Sequence, residues 1–244
     1  MKTLILIPSR LSATRLPGKP LLKINGLSII SHVFKKAEEA NIGEVVVATE
    51  DQEIIDDVKQ NGGQAILTNK AHKTGTDRIY EALLKFNHSS IDLVMNLQGD
   101  EPLMNIDDIK NLNHQMIQNG SQIGTLGSII TDKDFYENQN TVKVTTKDSL
   151  VNSNFPEAIS FDREIFSESK NIYHHLGIYC YQLETLKKFA TIKQSANEIK
   201  NRLEQLRAID NNIKINVALA KSTPIGVDTE QDFVAIKKIM EYKS

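Results

Sequence analysis

Four short apolar runs, each followed by a stretch of helical spacing, limit this chain more than any other feature of it. Residues 3–7, 44–49 (EVVVAT), 65–68 and 92–97 (DLVMNL) have strand length and little polar alternation. Strands of that kind are covered on both faces. After the first, residues 29–40 place apolar side chains at 29, 30, 33, 34, 37 and 40, close to a 3.6-residue period. Residues 51–60 form a second helix, stopped by Gly62 and Gly63. Residues 77–86 form a third with Thr76 as its expected cap, and 106–118 a fourth. Strand alternating with helix predicts an α/β fold: a mainly parallel sheet flanked by helices on both faces.

The rhythm changes further on. Residues 124–131, 141–146 and about 150–155 are rich in β-formers with no helix between them, and 173–181 is another strand. This predicts an antiparallel β excursion, a subdomain at about 124–180 within a single domain of 1–244. Residues 184–189 and 197–209 read as helices and 215–220 as a strand. Residues 229–240 close the chain as an amphipathic helix capped by Thr229 or Asp228. Segments 134–140 and 167–171 are the most loop-like.

Where the first strand ends, at Pro8, a basic loop begins. Arg10, Arg15 and Lys19 fall within ten residues, with Gly18 and no acid among them. Arg forks grip phosphate oxygens and Lys adds a point charge, so the loop is suited to polyphosphate. No Walker or Rossmann glycine pattern is present. The net charge of −2 gives no broad basic field for nucleic acid, so such local clusters must bind any anion. The N-terminus resembles neither a signal peptide nor a membrane span, and the expected location is cytoplasmic, away from membranes. Cys180 is the only cysteine. It excludes an internal disulfide, and in the apolar run 177–181 it reads as a buried structural thiol.

Asp100, beside Glu101, follows the fourth strand. Next to phosphates its natural task is to hold Mg²⁺. Asp228 is the candidate second ligand, with simple helix capping as the alternative. The stretch 73–78 (KTGTDR) suits either a base or sugar site or ordinary capping. His175 and Tyr179, four apart in a strand, face one side. Glu204 and Gln205, in the helix expected over 197–209, supply further hydrogen-bonding groups for a sugar. A half-buried structural role for the His and Tyr is the alternative.

Taken in order, IPSRLSATRLPGKP at 7–20, TGTDR at 74–78, NLQGDEP at 96–102, HLGIY at 175–179, LEQLR at 203–207 and GVDT at 226–229 form a set. It resembles the 3-deoxy-manno-octulosonate (Kdo) cytidylyltransferases of Gram-negative bacteria, over nearly the whole chain. The resemblance implies a nucleotide-diphosphosugar-transferase-like fold whose β excursion forms a homodimer. It implies the reaction of CTP with Kdo, an acidic eight-carbon sugar, to give CMP-Kdo and pyrophosphate for lipopolysaccharide synthesis. By the same resemblance, Arg10, Arg15 and Lys19 bind the triphosphate. Pro8, Ser9, Thr74, Gly75, Arg78 and Gln98 line the nucleotide site, and Asp100 and Asp228 hold Mg²⁺. Gln98, His175, Tyr179, Glu204 and Gln205 contact the sugar. The sequence departs from the family where an Arg is usual, near Pro156: no Arg occurs between Arg78 and Arg163. Asn201 stands where a Glu is common. Arg163 or His174 could take over the missing charge. Another acidic sugar, such as an amino-Kdo or a nonulosonate, and a catalytically weakened nucleotide-binding paralogue are the alternatives.

Overall fold

The computed structural model describes residues 1–12, 15–86, 90–131, 136, 138–164 and 170–242. Of the segments expected to be loops, residues 134, 135, 137 and 167–169 lie outside this set. The chain divides into two compact units. One contains residues 2–91, 95–109 and 224 onward; the other contains residue 1, residues 92–94 and residues 110–223.

The first unit begins with β1 (Thr3–Ser9), the hairpin β2 (Lys23–Ile24) and β3 (Leu27–Ser28), and α1 (Ile29–Glu39). Next come β4 (Gly43–Thr49), α2 (Gln52–Gln60), β5 (Ala65–Leu67) and α3 (Gly75–Lys85). Of β6 (Leu93–Asn96), Met95 and Asn96 belong to this unit. The strand order is β6-β1-β4-β5, with β1 parallel to β4 and β4 parallel to β5. Lying inside the sheet, β1 is buried on both faces, which is why Leu4 to Ile7 are all apolar. Helix α1 is capped by Ser28, whose hydroxyl accepts from the Ser31 N–H, and it buries Ile29, Ile30, Val33, Phe34 and Ala37. Helix α3 starts two residues earlier than the sequence suggests. Thr74, not Thr76, is its cap, accepting from the Asp77 N–H, and Thr76 is buried inside the helix.

The second unit holds β7 (Ile123–Ser128), β8 (Lys143–Thr146), β9 (Ala158–Asp162), β10 (Ile172–Gln182) and β11 (Ile215–Leu219). Strand β7 pairs parallel with β11 and antiparallel with β10, while β8 pairs antiparallel with both β10 and β9. The expected antiparallel region is therefore present, but one strand is displaced. Residues 150–155 form turns and bends, and the strand lies at Ala158–Asp162. Phe155 has φ 59°, a left-handed conformation that no strand accommodates. The helix expected over 197–209 is two helices, Ala196–Asn201 and Leu206–Asp210. Arg202, at φ 54°, ends the first in a left-handed turn.

The chain returns to the first unit for helix Glu230–Glu241. There Ile24, Ile29, Val227 and Ile236 are wholly buried together, with Leu16, Leu22, Leu103, Phe233 and Met240 packed around them. This cluster ties the basic loop, the hairpin and the closing helix into one body. No helix among the described residues is long and apolar enough to cross a membrane.

Candidate active site

Strand β1 delivers Ser9 and Arg10 to the start of the basic loop. The loop turns at Gly18, whose N–H donates to the Leu11 carbonyl at 3.2 Å. Gly18 has φ 70° and open space where a Cβ would lie, so the left-handed backbone is what requires glycine there. A single 3₁₀ turn, Lys19–Leu21, follows. Lys19 Nζ then lies 2.6 Å from Asp100 Oδ2 and 3.4 Å from Asp228 Oδ1. Arg15 reaches the other oxygen of Asp228, at 3.0 Å. At Gly99 a Cβ would come within 2.9 Å of the Pro8 carbonyl oxygen, so glycine lets the segment that carries Asp100 approach the end of β1.

Asp228 is not the helix cap. Thr229 and Asp232 form a capping box: Thr229 Oγ1 accepts from the Asp232 N–H, and Asp232 accepts from the Thr229 N–H at 2.8 Å. The Asp228 carboxylate is thereby left to the cations. Glu101 differs from its two neighbours. Burial pushes its carboxyl up to about 8, Asp100 and Asp228 add to the rise, and Lys19 opposes it. At neutral pH it is mainly a neutral acid, and its buried Oε2 has no hydrogen-bond partner among the described residues.

Asp100 and Asp228, with Lys19 and Arg15, border a cavity of about 390 Å³. Every residue expected on the nucleotide and metal side lines it: Pro8, Ser9, Arg10, Arg15, Lys19, Thr74, Gly75, Arg78, Gln98, Asp100 and Asp228. Arg78 does so with its charge already spent. Its guanidinium is buried, paired with Glu50 and donating to Thr68 Oγ1 at 2.7 Å. The cavity also takes in His72, which no motif in the sequence marks and whose partner, Glu81, lies on α3.

His175, Tyr179, Glu204 and Gln205 belong to the second unit. His175 pairs with Gly127 and Tyr179 with Thr125, so Gly177 and Ile178 form a bulge between them. The two side chains thus act as next neighbours on one face, with ring centroids 5.4 Å apart. Thr125 Oγ1 lies 2.7 Å from the Ile178 carbonyl and 3.0 Å from His175 Nε2. Burial, with His174 adding, pushes His175 down to about 3. Burial pushes the Tyr179 hydroxyl well up, helped by Tyr181 and Glu204. Glu204 and Gln205 are not inside a helix as expected. Glu204 sits in the turn, 3.7 Å from the buried Arg207, and Gln205 is the residue before Leu206–Asp210. Arg163 spends its guanidinium on backbone: it donates to the Gln139 carbonyl at 3.1 Å, and to those of Asn140 and Asn201 at 3.5 Å. The Cys180 thiol is buried and its acidity suppressed by that burial, as a structural thiol requires.

A family model described as cytidylyltransferase matches residues 4–215. The chain is 39% identical to the 3-deoxy-manno-octulosonate cytidylyltransferase of Nitrobacter winogradskyi, covering 98% of this chain and 94% of that one. It is 38% identical to the enzyme of the same name from Rhodopseudomonas palustris, covering 99% and 98%. A solved CMP:2-keto-3-deoxy-manno-octonic acid synthetase complexed with CTP superposes with a TM-score of 0.91 at 33% identity, covering all of both chains. A cytidylyltransferase from Leptospira borgpetersenii, at 19% identity and a TM-score of 0.66, shares the fold. The α/β class read from the sequence is the one found, and the chain belongs to the cytidylyltransferase family, among the 3-deoxy-manno-octulosonate cytidylyltransferases.

Proposed function

We propose that this chain transfers CMP from CTP to the anomeric hydroxyl of Kdo, releasing pyrophosphate, as a cytoplasmic homodimer serving lipopolysaccharide synthesis. One observation carries the reading. Two carboxylates and two cations, Asp100, Asp228, Lys19 and Arg15, are already interleaved at 2.6–3.4 Å on the wall of one cavity. The full-length likeness to a synthetase complexed with CTP supports it.

In this reading the anomeric hydroxyl attacks the α-phosphorus of CTP, the bond to the bridging oxygen breaks, and pyrophosphate leaves. Such a transfer depends on positioning and charge more than on a protein nucleophile. Arg10, Arg15 and Lys19 hold the triphosphate and offset the charge that grows on the leaving group. Asp100 and Asp228 fit Mg²⁺: both are hard oxygen donors, and both already converge on one positive centre, Lys19 Nζ. Bound there, Mg²⁺ would neutralise phosphate charge and acidify the attacking hydroxyl. Glu101, held neutral, adds no third negative charge to that pair. Pro8, Ser9, Thr74 and Gly75 receive the nucleoside. Gln98, His175, Tyr179, Glu204 and Gln205 are assigned to the sugar on the family motifs.

A second reading, another acidic sugar such as an amino-Kdo or a nonulosonate, has one specific observation in its favour. No Arg is present between Arg78 and Arg163, and Arg163 is committed to backbone carbonyls. Pyrophosphate release with CTP and a panel of ulosonates, with and without Mg²⁺, tests both. Release with none of them would end the enzyme reading. A clear preference for an acid other than Kdo would reassign the substrate, and full activity in EDTA would remove the metal. A single-chain mass by ultracentrifugation would remove the dimer.

A further inference from the structure

One wall of the cavity is fastened from behind by helix α3. Arg78 donates to Thr68 Oγ1 at 2.7 Å, and Lys85 Nζ donates to the Leu67 carbonyl at 2.8 Å. Between them Glu81 accepts from the Asn69 N–H at 2.9 Å, from Lys85 Nζ at 2.6 Å, and from His72 Nε2. Burial would raise the Glu81 carboxyl, but the hydrogen bonds from Lys85, Asn69 and His72 outweigh it and bring it down to about 2. Glu81 is thus a carboxylate, and a carboxylate only accepts. Nε2 of His72 must therefore carry the hydrogen. In the neutral ring that leaves Nδ1 as an acceptor, without a partner among the described residues, on a side chain that is 20% exposed and lines the cavity.

Nδ1 of a neutral ring does not meet phosphate oxygens, which are acceptors too, whereas Nδ1 of a doubly protonated ring would donate to them, and the nucleotide series below tells the two apart. Ionised CTP offers hydrogen-bond donors only on its nucleoside: the base amino group and the ribose hydroxyls. Arg15 and Lys19 pair with Asp228 and Asp100, while His72 pairs with Glu81. We propose that His72 is a nucleotide-binding residue whose Nδ1 accepts a hydrogen bond from an N–H or O–H donor of the nucleoside, with Glu81 as the positioning residue that fixes the ring. This rests on CTP being the bound nucleotide, as argued above.

The test measures affinity by calorimetry and KM by pyrophosphate release, for CTP, UTP, 2′-deoxy-CTP and 3′-deoxy-CTP. His72→Phe keeps a ring but removes the acceptor. It should weaken CTP about three- to tenfold, the worth of one hydrogen bond, with KM for the sugar acid moving less. The analogue that lacks the relevant donor should bind wild type and His72→Phe alike, which tells base from ribose. His72→Asn, whose side-chain carbonyl oxygen stands near the Nδ1 position, should restore much of the affinity. Glu81→Gln should fall between, because an amide no longer dictates the tautomer. Equal weakening of all four nucleotides, or unchanged CTP affinity in His72→Phe, would overturn the proposal. Wild-type protein that binds CTP but releases no pyrophosphate would sink the enzymatic reading and leave His72 standing. Wild-type protein that does not bind CTP would sink both.

Discussion

The backbone N–H of Val227 donates to the carbonyl of Asp100 at 2.9 Å. This bond ties together the two segments that carry the acidic pair, and it uses main chain only. Val227 is at the same time wholly buried in the cluster with Ile24, Ile29 and Ile236. The spacing of Asp100 and Asp228 is therefore set by backbone and core, not by their side chains. Asp100→Asn should keep the fold, with a melting temperature within a few degrees of wild type. Pyrophosphate release should drop about a hundredfold or more, the scale of a lost charge at a phosphoryl-transfer centre. Steady-state assays at saturating CTP and Mg²⁺ give the answer; wild-type turnover would exclude Asp100 as a metal ligand.

Arg15 and Asp228 are well exposed, with side chains 62% and 49% accessible, so their ion pair contributes little to stability. The charge is available for a ligand. Arg15→Ala should leave the unfolding free energy within about 0.5 kcal/mol of wild type. KM for CTP should rise about tenfold or more, as the loss of a charged hydrogen bond to phosphate predicts. KM for the sugar acid should move far less. Equal changes in both would mean that Arg15 acts on the site as a whole, and no change would remove it from the nucleotide.

The pair Arg78–Glu50 behaves in the opposite way. Its side chains are 4% and 10% exposed, so removing one partner strands the other's charge. Arg78→Met should cost about 3–5 kcal/mol by urea denaturation. Adding Glu50→Gln should recover a good part of that loss, since the stranded carboxylate goes with it. A double variant no better than the single would show that the cost comes from packing and the Thr68 contact.

The parts of the molecule that depend on local sequence are those the sequence reveals. The run Leu4 to Ile7 and the period of 29–40 each carry their own signal, and each forms the expected element. The basic loop, Asp100 and Asp228 stand out because they lie at the ends of such elements, whereas Pro8, Ser9, Thr74, Gly75, Arg78 and Gln98 came from the family motifs; one cavity is lined by all of them. What was hidden depends on single backbone choices or on long-range pairing. Phe155 and Arg202 adopt left-handed conformations that their side chains do not announce, which moved one strand and broke one helix. The bulge at Gly177 and Ile178 is a property of pairing with β7, not of β10 alone. His72 escaped because its role follows from Glu81, nine residues away on a helix whose start was misplaced by two.

His175 sets an acid limit to stability. It is buried, edge-on to Phe161 at 5.0 Å, with its Nε2 beside the Thr125 hydroxyl. Burial, with His174 adding, lowers it from an ordinary 6.5 to about 3, and His174 itself falls to about 4 through burial and the nearby Lys143. The sign follows directly. Between about 6.5 and 3 the unfolded chain binds protons at these rings that the folded chain refuses, so stability rises with pH and is lost on acidification through that window. Wild type should therefore lose unfolding free energy steadily from pH 7 to pH 4. His175→Gln should start lower at pH 7, having lost the ring's packing, and decline more gently. The two curves should converge toward pH 4. Guanidinium denaturation at half-unit intervals of pH measures this, and parallel curves would show that His175 takes up its proton in the folded protein as readily as in the unfolded chain.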